Sequence, residues 1–586
     1  MRNVGWLPWP TLLLRASVLR ALLPAAMLLI GGCGDGETTA DLVLRGGFVV
    51  DGSGARGTLA DVAIKGGRVL TVGDARELDA ERVIDVRGLV VAPGFVDLHS
   101  HADLVLLADD AVRQQLLSAK ILQGVTTIVV GNCGLGVAPA SPDAAATLAG
   151  VNGWMTPEAV AAGAMDIAEY LSRLETAGVP LNVGTLVPHG PLRVSAMGLA
   201  PGEAELSQLI AMEAALEDGL RAGAFGVSVG LIYPPGMFSP TSELAALASI
   251  AAKYDRLFTA HIRGSSRMLL RATRELIEVN RRSGARTHHS HLEAVGEPYW
   301  GTIGDVLSLE DAAREEGLAI SHDVFPYTRA ATMMSAIFPP WSLEGGMPAL
   351  LERLADPPTR ELIRIQIEER EPEWPPWEPG GWPHNLAQAV GWDGILLASV
   401  GPDGPVEWVG KSLARIAEEL GREPFDVVAE LMIEERGQVG QMVAEISGRE
   451  GEIEPLLSIL AHPAGAVISD AEDYGRGSPH PAHAGAFVRA LRWNREHSLG
   501  TLEAMVRKMT SYPADLLGLQ DRGRLRPGAP ADVVVFDPET VADRARWDRP
   551  RQAAVGVRLV MINGRIVAEE GRYLGGLHGE VLRAGR

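Results

Sequence analysis

Short apolar runs alternate with amphipathic stretches through the middle of the chain. Eight of the runs have the length and composition of buried strands, and the stretches between them, such as 203–222, 242–252 and 267–282, have the period of helices. Strands that alternate with helices predict a parallel sheet, and eight of them predict an α/β fold of the (β/α)8 TIM-barrel type. The predicted strands are Phe95–Leu98, Thr126–Val130, Leu181–Val187, Phe225–Leu231, Leu257–His261, Arg286–His291, Ala319–Phe325 and Ala466–Asp470.

Both ends of the chain show a different pattern, with β-like runs separated by glycine-containing turns. Gly66-Gly67, for example, interrupts such a run in the way expected of a hairpin. Because the two ends share this pattern, we expect one small β-sandwich-like domain built from residues 34–92 and 525–586, with the barrel in residues 93–524. The runs are 41–50, 60–72 and 82–91 near the start, and 531–536, 557–562 and 565–568 near the end.

A long stretch after the seventh predicted strand breaks the regular alternation. It covers residues 330–460 and includes the segment Trp374–Trp382, WPPWEPGGW, which is rich in proline and tryptophan. Long connections on a rigid scaffold often carry function. We therefore interpret this stretch as an inserted lid or subdomain.

Residues 1–33 have the features of an export signal. Arginines supply positive charge, and residues 21–30 form an apolar core that is too short for an ordinary membrane-spanning helix. The core ends in Ile30-Gly31-Gly32-Cys33, which resembles the lipobox of bacterial lipoproteins. This resemblance implies that Cys33 is acylated and anchors an exported protein, in a Gram-negative host to the outer membrane facing the periplasm, since Gly34 rather than aspartate follows. An ordinary cleaved signal is the alternative.

Composition and charge narrow the function classes. The chain has 586 residues, of which 46% are hydrophobic and 22% charged, as in ordinary globular proteins. Its net charge of -21 argues against nucleic-acid binding, which needs a basic face. The cysteines are Cys33 and Cys133, so acylation of Cys33 would leave Cys133 without a disulfide partner in the chain. The sequence does not indicate an oligomeric state.

The first candidate for chemistry is His99-Ser100-His101, directly after the first predicted barrel strand. Side chains at positions i and i+2 of a strand point to the same side. At the carboxyl end of a barrel strand that side faces the active-site mouth, where two neutral imidazoles can bind one divalent metal. An isolated pair of this kind is more often polar loop sequence, so further ligands are needed to support a metal site.

Further candidates occur where later predicted strands end. Cys133 follows the second strand, and a cysteine there is either a small buried apolar residue or a thiolate ligand that suits zinc. A single histidine or aspartate in such a place is usually structural, but candidates at five strand ends of one barrel favour a metal centre. The later candidates are His261, His291 with His289 as its alternative, and Asp470.

Several motifs resemble the amidohydrolase superfamily and, within it, the N-acyl-D-amino-acid deacylase (D-aminoacylase) group. The resemblance runs from about Asp41 to Arg572, and it implies a metal-dependent enzyme that hydrolyses an amide bond of a small molecule. GNCG is its most specific motif. The motifs are PGFVDLHSH (93–101), GNCG (131–134), GVSVGLIYPPG (226–236), AHIRG (260–264), SH (290–291), FPYT (325–328), HP (480–481), KMTSYPADLLGL (508–519) and RGRLRPGAPADVVVFDP (522–538).

The resemblance also implies roles for the candidate ligands. Cys133, His261 and His291 are expected to hold one zinc tightly, and His99, His101 and Asp470 to line a second, weaker metal position. Zinc lowers the pKa of bound water from about 15.7 to about 7, which supplies a nucleophile at neutral pH. Asp470 is the expected catalytic acid/base, because it can accept the water proton and deliver it to the leaving nitrogen.

The substrate side departs from the family pattern. Deacylases of this group usually carry a lysine and an arginine where this chain has Glu293 and Ala482, and those two cations receive the substrate carboxylate. Glu293 would repel a carboxylate by about 1–4 kcal/mol at contact. Either Arg263 or Arg329 replaces the lost cations, or the substrate is an N-acyl amine, a dipeptide-like compound or a cyclic amide.

Other residues are candidates for substrate contact, although packing is an equally open explanation for each. A cyclic-amide or lactone hydrolase and a catalytically silent ligand-binding lipoprotein are the alternative functions. The additional candidates are His189, Tyr233 and Tyr327.

Overall fold

The middle of the chain forms parallel strands separated by helices, as the computed structural model shows for residues 39–157, 160–378 and 380–585. The predicted signal segment and Cys33 lie outside the described residues. The strands are β1 (Ala40–Val49), β2 (Thr58–Lys65), β3 (Arg68–Gly73), β4 (Ala80–Asp85), β5 (Val90–Pro93), β6 (Phe95–Asp97), β7 (Val125–Val130), β8 (Asn182–Thr185), β9 (Val187–Pro188), β10 (Gly226–Gly230), β11 (Leu257–His261), β12 (Arg286–His289), β13 (Ile320–Val324), β14 (Ala330–Met333), β15 (Ile395–Ser399), β16 (Gly440–Val443), β17 (Gly465–Val467), β18 (Val533–Phe536), β19 (Val557–Ile562), β20 (Arg565–Glu569) and β21 (Arg572–Tyr573).

The helices between these strands carry apolar residues on the face that packs against the sheets. In α7, for example, Leu276 and Val279 are buried while Arg274 and Arg282 are exposed. The helices are α1 (Asp110–Leu122), α2 (Ala145–Val151), α3 (Ile167–Ala177), α4 (His189–Met197), α5 (Leu206–Ala222), α6 (Thr241–Lys253), α7 (Leu269–Ser283), α8 (Ile303–Glu315), α9 (Gly346–Ala355), α10 (Pro357–Glu369), α11 (Leu386–Val390), α12 (Leu413–Leu420), α13 (Pro424–Glu434), α14 (Glu454–Ala461), α15 (Ala482–His497), α16 (Leu502–Met509) and α17 (Ser511–Leu517). No helix in the described ranges combines the length and the apolar character needed to cross a membrane.

Two parallel sheets contain all eight predicted barrel strands. One has the order β6-β7-β8 and the other the order β17-β13-β12-β11-β10-β9, and only Leu186 separates β8 from β9. Every residue of β7, β10, β11 and β13 is buried, as expected of parallel strands that are covered on both faces. Among the described residues no backbone ladder joins β17 to β6, although the Asp470 amide donates to the His99 carbonyl at 3.2 Å.

Strands from both ends of the chain belong to one mixed sheet. Its order is β21-β20-β19-β18-β5-β1-β2-β3, with β4 also paired to β1, and the antiparallel pair β5–β18 joins the two ends. Alternate residues of β18 serve different cores: Val534 and Phe536 pack against the parallel strands, whereas Val533 and Val535 pack on the opposite face.

The stretch between β13 and β17 contains a third sheet and six of the helices. β14, β16 and β15 form this antiparallel sheet in that order, and α9–α14 surround it. Ala331 and Thr332 of β14 face the ends of the parallel strands, where the Thr332 hydroxyl lies 2.8 Å from the Tyr233 hydroxyl. The insertion therefore covers the edge of the sheets that carries the candidate ligands.

Candidate metal centre

Three potential ligands from different strand ends lie together. His99 follows β6, Cys133 follows β7 and His291 follows β12, and their ligand atoms are all within 4.8 Å of one another. The Cys133 Sγ atom lies 3.2 Å from the His99 Nε2 atom and 3.5 Å from the His291 Nε2 atom. A thiol and two imidazoles in this arrangement are the donor types that zinc prefers.

A second group shares His99 with the first. His99, His101 and Asp470 also have ligand atoms within 4.8 Å of one another. The Asp470 Oδ1 atom lies 3.4 Å from the Nε2 atom of each histidine. His99 thus stands between Cys133 and Asp470, so the two groups form one continuous cluster.

His261 lies beside the cluster, at the carboxyl end of β11. Its ring centroid is 4.4 Å from that of His291 and 5.1 Å from that of Tyr233. The family resemblance groups His261 with Cys133 and His291, whereas the three-residue groups in the structure have His99 in that position. The Nδ1 atom of His261 is buried and has no hydrogen-bond partner among the described residues.

The backbone is left-handed at three of these side chains. The φ angles are +52° at Cys133, +36° at His291 and +46° at Asp470. Residues other than glycine rarely adopt this conformation, and such strain concentrates at functional sites. It also explains why β12 and β17 end before His291 and Asp470, although the apolar pattern predicts strands that reach them.

Close backbone packing holds the Cys133 turn in place. A Cβ atom added at Gly230 would lie 1.9 Å from the Cys133 carbonyl oxygen, so β10 can approach the turn only with glycine at this position. The Ser228 hydroxyl donates to the Gly131 carbonyl and accepts from the Gly134 amide at 3.0 Å. These contacts explain why GNCG and GVSVG occur together.

Asp323 of β13 orients two histidines from behind the cluster. Its Oδ2 atom lies 2.8 Å from His288 Nε2 and 3.5 Å from His99 Nδ1, and its Oδ1 atom accepts from the His291 amide. A carboxylate on the far nitrogen of a ligand histidine fixes the ring orientation and its tautomer. Sequence reasoning missed Asp323, although a charged residue inside the apolar run 320–324 was a signal for it.

A buried lysine network supports the cluster between β6 and β17. The Lys120 Nζ atom of α1 lies 2.9 Å from Asp97 Oδ2, 3.0 Å from Glu472 Oε1 and 2.6 Å from Ser469 Oγ. Asp97 precedes His99 by two residues, and Ser469 directly precedes Asp470. This network, which sequence reasoning also missed, therefore fixes the two strand ends relative to each other.

The charges in the cluster shift the acidity of its members. Burial opposes protonation of His101 and His291, but the Cys133 thiolate and the Asp470 carboxylate raise their pKa values to about 9 and about 10. Burial also disfavours the thiolate, yet His99 and His291 hold the pKa of Cys133 well below its usual value. An anionic thiol and carboxylate among imidazoles form a site for a cation.

Two small adjacent cavities adjoin the cluster and share His101 and Asp470. The first, of about 40 Å³, is lined by the predicted substrate-side residues Tyr233 and Glu293 and by His384 of the insertion. The second, of about 50 Å³, is lined by Glu472, Tyr474, Arg476 and His480. Trp154 and Thr332 contribute to both, and they were not recognisable in the sequence because they lie outside the barrel strands.

Glu293 projects into the first cavity. Its Oε1 atom lies 3.9 Å from His291 Nδ1, and its Oε2 atom has no hydrogen-bond partner among the described residues. Burial raises the pKa of Glu293 to about 7, although the nearby His291 charge lowers it. A carboxyl group therefore lies at the position where the family resemblance led us to expect a lysine.

The prediction that Arg263 binds a substrate carboxylate is wrong. Its guanidinium is fully buried, lies 2.7 Å from Glu275 Oε2 and donates to the Ser239 carbonyl. An arginine whose donors are already satisfied inside the protein holds structure together and does not face a cavity. Arg329, the second candidate, stacks on Trp547 with its guanidinium carbon 4.6 Å from the ring centroid.

The predictions for His189 and Tyr327 are also wrong. The His189 Nε2 atom lies 2.7 Å from Glu243 Oε1, and the buried Tyr327 ring is covered by the Arg489 guanidinium at 3.6 Å. Neither side chain is among the described residues that line the two cavities. Both positions follow strand ends, but the chain turns their side chains into the packed interior.

The structure decides between His289 and His291. The His289 Nδ1 atom lies 2.9 Å from Glu310 Oε1 on α8, away from the cluster. His291 lies beyond the end of β12, where the left-handed backbone brings its ring to Cys133. Two histidines that share a face in a regular strand are thus separated by the turn.

Sequence comparison places most of the chain among known hydrolases. A family model described as "Amidohydrolase family" matches residues 82–295 and 405–568. An N-acyl-D-glutamate deacylase of Alcaligenes xylosoxydans xylosoxydans is 35% identical over 529 residues, which cover 89% of this chain and 93% of the relative. A D-aminoacylase of the same organism is 30% identical over 548 residues, covering 92% and 97%.

Solved structures agree with the sequence matches. A D-aminoacylase structure superposes with a TM-score of 0.76 at 30% identity, covering 93% of this chain and 100% of the other, and that enzyme is described with a binuclear metal centre. An N-acyl-D-glutamate deacylase from Bordetella bronchiseptica, complexed with zinc and a phosphonate inhibitor, gives 0.75 at 32% identity, with the same coverage. The chain therefore belongs to the amidohydrolase family, in the group of the D-aminoacylases, and is a metal-dependent enzyme acting on carbon–nitrogen bonds other than peptide bonds.

Proposed function

We propose that this protein uses zinc to remove the acyl group from a linear N-acylated amino acid, a related N-acyl amine or a dipeptide-like compound. The observation that carries the proposal is the convergence of Cys133 with His99 and His291, and of His99 with Asp470, at 3.2–3.5 Å. The parallel strands whose ends bear these residues support the predicted TIM barrel as their scaffold.

The donor set fits zinc. Thiolate and imidazole are the ligands of borderline-soft metals, whereas magnesium and calcium prefer oxygen. The His101 Nε2 atom faces Asp470 at 3.4 Å, and the buried His261 Nδ1 atom has no hydrogen-bond partner among the described residues, which supports a second, weaker position beside the tight one. We propose Cys133, His291, His99 and His261 around the tight metal, and His101 with Asp470 at the weaker position. When bound, the metal supplies Lewis-acid activation of water and of the amide carbonyl.

Asp470 is the proposed proton carrier. Its carboxylate is buried beside His99 and His101, and its pKa is lowered: these neighbouring charges outweigh the effect of burial. An ionised carboxylate at the junction of the two cavities can take a proton from the attacking water and pass it to the leaving nitrogen. Two backbone hydrogen bonds hold this carboxylate in place. The Asp470 amide donates to the His99 carbonyl, and the Ser469 amide donates to the Asp97 carboxylate.

The position of Glu293 favours a substrate that has no free carboxylate near this residue. Its unpartnered oxygen faces the cavity, and among the described residues no lysine or arginine lines that cavity. A negative group there would meet an uncompensated carboxylate, whereas an amide N–H or an amine would be accepted. N-acyl amines and dipeptide-like compounds therefore fit this side better than acidic N-acyl-D-amino acids.

A substrate panel on the zinc-loaded enzyme tests the proposal. It would contain N-acetyl-D- and L-amino acids, N-acetyl amines, dipeptides, a cyclic amide and a lactone, with Asp470→Asn as the inactive reference. Turnover of linear N-acyl compounds above that reference supports the proposal. Turnover confined to the cyclic amide or lactone, or no turnover of any compound, contradicts it.

We also propose that Cys33 carries a lipid anchor that places the enzyme at the outer membrane, facing the periplasm. The support is the sequence Ile30-Gly31-Gly32-Cys33 after a short apolar core. Labelled palmitate should be incorporated into the wild-type protein and not into Cys33→Ser. A Cys133→Ser variant is the matched control and should keep the label. Equal labelling of wild type and Cys33→Ser contradicts the anchor.

A further inference from the structure

A large apolar groove lies next to the two small cavities that adjoin the metal cluster. Its volume is about 1290 Å³, whereas the two cavities at the cluster hold about 40 and 50 Å³. Binding sites for small organic molecules typically have about 300–1,000 Å³. The cavities at the cluster therefore have room for the reacting groups but not for a bulky substituent, while the groove has room for a long one.

The lining of the groove is suited to a hydrocarbon chain. Small and aliphatic side chains from α1, α2 and the insertion form its walls, including Val112, Leu148, Ala149 and Val400. Among the described lining residues Arg476 is the one charged side chain, and it is already bonded to the Gly153 carbonyl. Val112 is 40% exposed, so the groove leaves apolar surface open to solvent.

A shared wall separates the groove from the cavity that contains the reactive centre. Tyr474 and Arg476 line both the groove and the cavity that contains His101 and Asp470. Trp154 packs edge-on against Tyr474, with ring centroids 5.9 Å apart, and completes the wall. The Tyr474 and Arg476 side chains border both spaces, and side chains can change rotamer quickly.

Each of the two cavities suits a different half of an amide substrate. They meet at His101 and Asp470, where the scissile bond has to lie for proton transfer. The unpartnered Glu293 oxygen marks the first cavity as the place for a polar half, with N–H groups to donate. The second cavity leads to the apolar groove, which leaves that side for an apolar half.

We propose that the groove binds the acyl chain of the substrate, and that the enzyme therefore acts on medium- to long-chain N-acyl compounds. This inference rests on the proposed deacylase function and specifies its substrate class. Burying one methylene group is worth about fourfold in affinity or kcat/KM. Lengthening the acyl chain from acetyl to octanoyl should accordingly raise kcat/KM by at least about a hundredfold.

The test combines an acyl-length series with variants that fill or charge the groove. In Ala149→Trp and Val112→Asp, kcat/KM for the octanoyl compound should fall by about tenfold or more while that for the acetyl compound stays unchanged. Both positions are at the solvent edge of the groove, so the variants can fold. Ala168→Trp on α3 and Val83→Asp on β4 are the matched controls at exposed sites outside the groove, and they should behave as wild type.

A binding measurement separates this inference from the proposed function. A dansyl-labelled undecanoic acid should bind the zinc-loaded wild-type enzyme, and Ala149→Trp should weaken that binding by about tenfold. Binding of this probe without hydrolysis of any N-acyl compound would support the groove and contradict the deacylase function. Hydrolysis of acetyl compounds without dependence on acyl length, or no probe binding, overturns the groove proposal and leaves the function standing.

Discussion

The metal side and the substrate side of this site are built in different ways. On the metal side, His99, His101, Cys133, His291 and Asp470 all come from the carboxyl ends of parallel strands and meet in one buried cluster. On the substrate side, the lining comes largely from the insertion and from connecting segments. The first arrangement follows from strand order, whereas the second depends on how long connections fold back.

Because of this difference, some charged residues at strand ends belong to the metal cluster and others form buried ion pairs away from it. In the cluster, Cys133 and Asp470 lie 3.2–3.5 Å from histidine nitrogens, in an arrangement that can hold a cation. A few ångströms away, Arg263 and His189 are neutralised by Glu275 and Glu243 and belong to the packed interior. Residue type and proximity in sequence to a ligand therefore do not by themselves indicate a substrate contact.

The largest expected effect comes from removing the thiol on the metal side. Cys133→Ser should lose the tight metal and reduce kcat by at least about 10⁴-fold, because activation of water is lost with the metal. Metal content after dialysis and kcat on one substrate measure both effects. Cys133 is nearly fully buried, so a circular dichroism spectrum should establish that the variant is folded. Full activity of the folded variant would contradict the role of Cys133 in metal binding.

The next effect separates proton transfer from metal binding. Asp470→Asn should keep the tight metal, since Cys133 and His291 remain, but lower kcat by about a thousandfold because the proton carrier is gone. Glu472→Gln, a neighbouring buried carboxylate that does not belong to the cluster, should retain more activity. Equal metal loss in Asp470→Asn and Cys133→Ser would contradict the separate roles.

The metal side was largely predictable from sequence, because strand period and strand order decide where strand-end residues point. The strands carrying His99, Cys133 and His261 were predicted within a residue or two of their observed bounds. The alternation of side chains along a strand could not predict the left-handed turn that moves His291 away from His289. The supporting groups Asp323 and Lys120 were missed, because buried ion pairs form between segments far apart in sequence.

The substrate side was less predictable for a physical reason. Trp154, Tyr474 and Thr332 reach the cavities from segments that have no repeating pattern to fix their position. Glu293 was identified because the family pattern places a lysine at this position, two residues after His291. Arg263 has the same spacing from His261, yet its side chain turns to Glu275, and no local pattern distinguishes these outcomes.

A variant of Arg263 tests whether it is structural. Arg263→Met leaves Glu275 buried without its partner and should lower the free energy of unfolding by about 3 kcal/mol, with little change of KM at a temperature where the variant is folded. Urea denaturation and steady-state kinetics measure the two quantities. Arg267→Met, at an exposed ion pair on the same connection, should leave both nearly unchanged. A large increase in KM with unchanged stability would restore Arg263 as a substrate contact.

The smallest expected effect concerns Glu293. Glu293→Lys places a cation in the first cavity and should raise kcat/KM for N-acetyl-D-glutamate by about tenfold relative to an N-acetyl amine. Glu297→Lys, at an exposed position on the same connection, is the matched control and should not change this ratio. An unchanged ratio in Glu293→Lys would show that the substrate does not approach this carboxylate.

The most direct test of the metal centre is X-ray absorption at the zinc edge of the zinc-loaded enzyme. The arrangement of Cys133 with His99 and His291 predicts one sulfur scatterer at about 2.3 Å together with imidazole nitrogens at about 2.0–2.1 Å. The sulfur signal should vanish in Cys133→Ser. A first shell of nitrogen and oxygen alone in the wild-type enzyme would contradict the proposed centre.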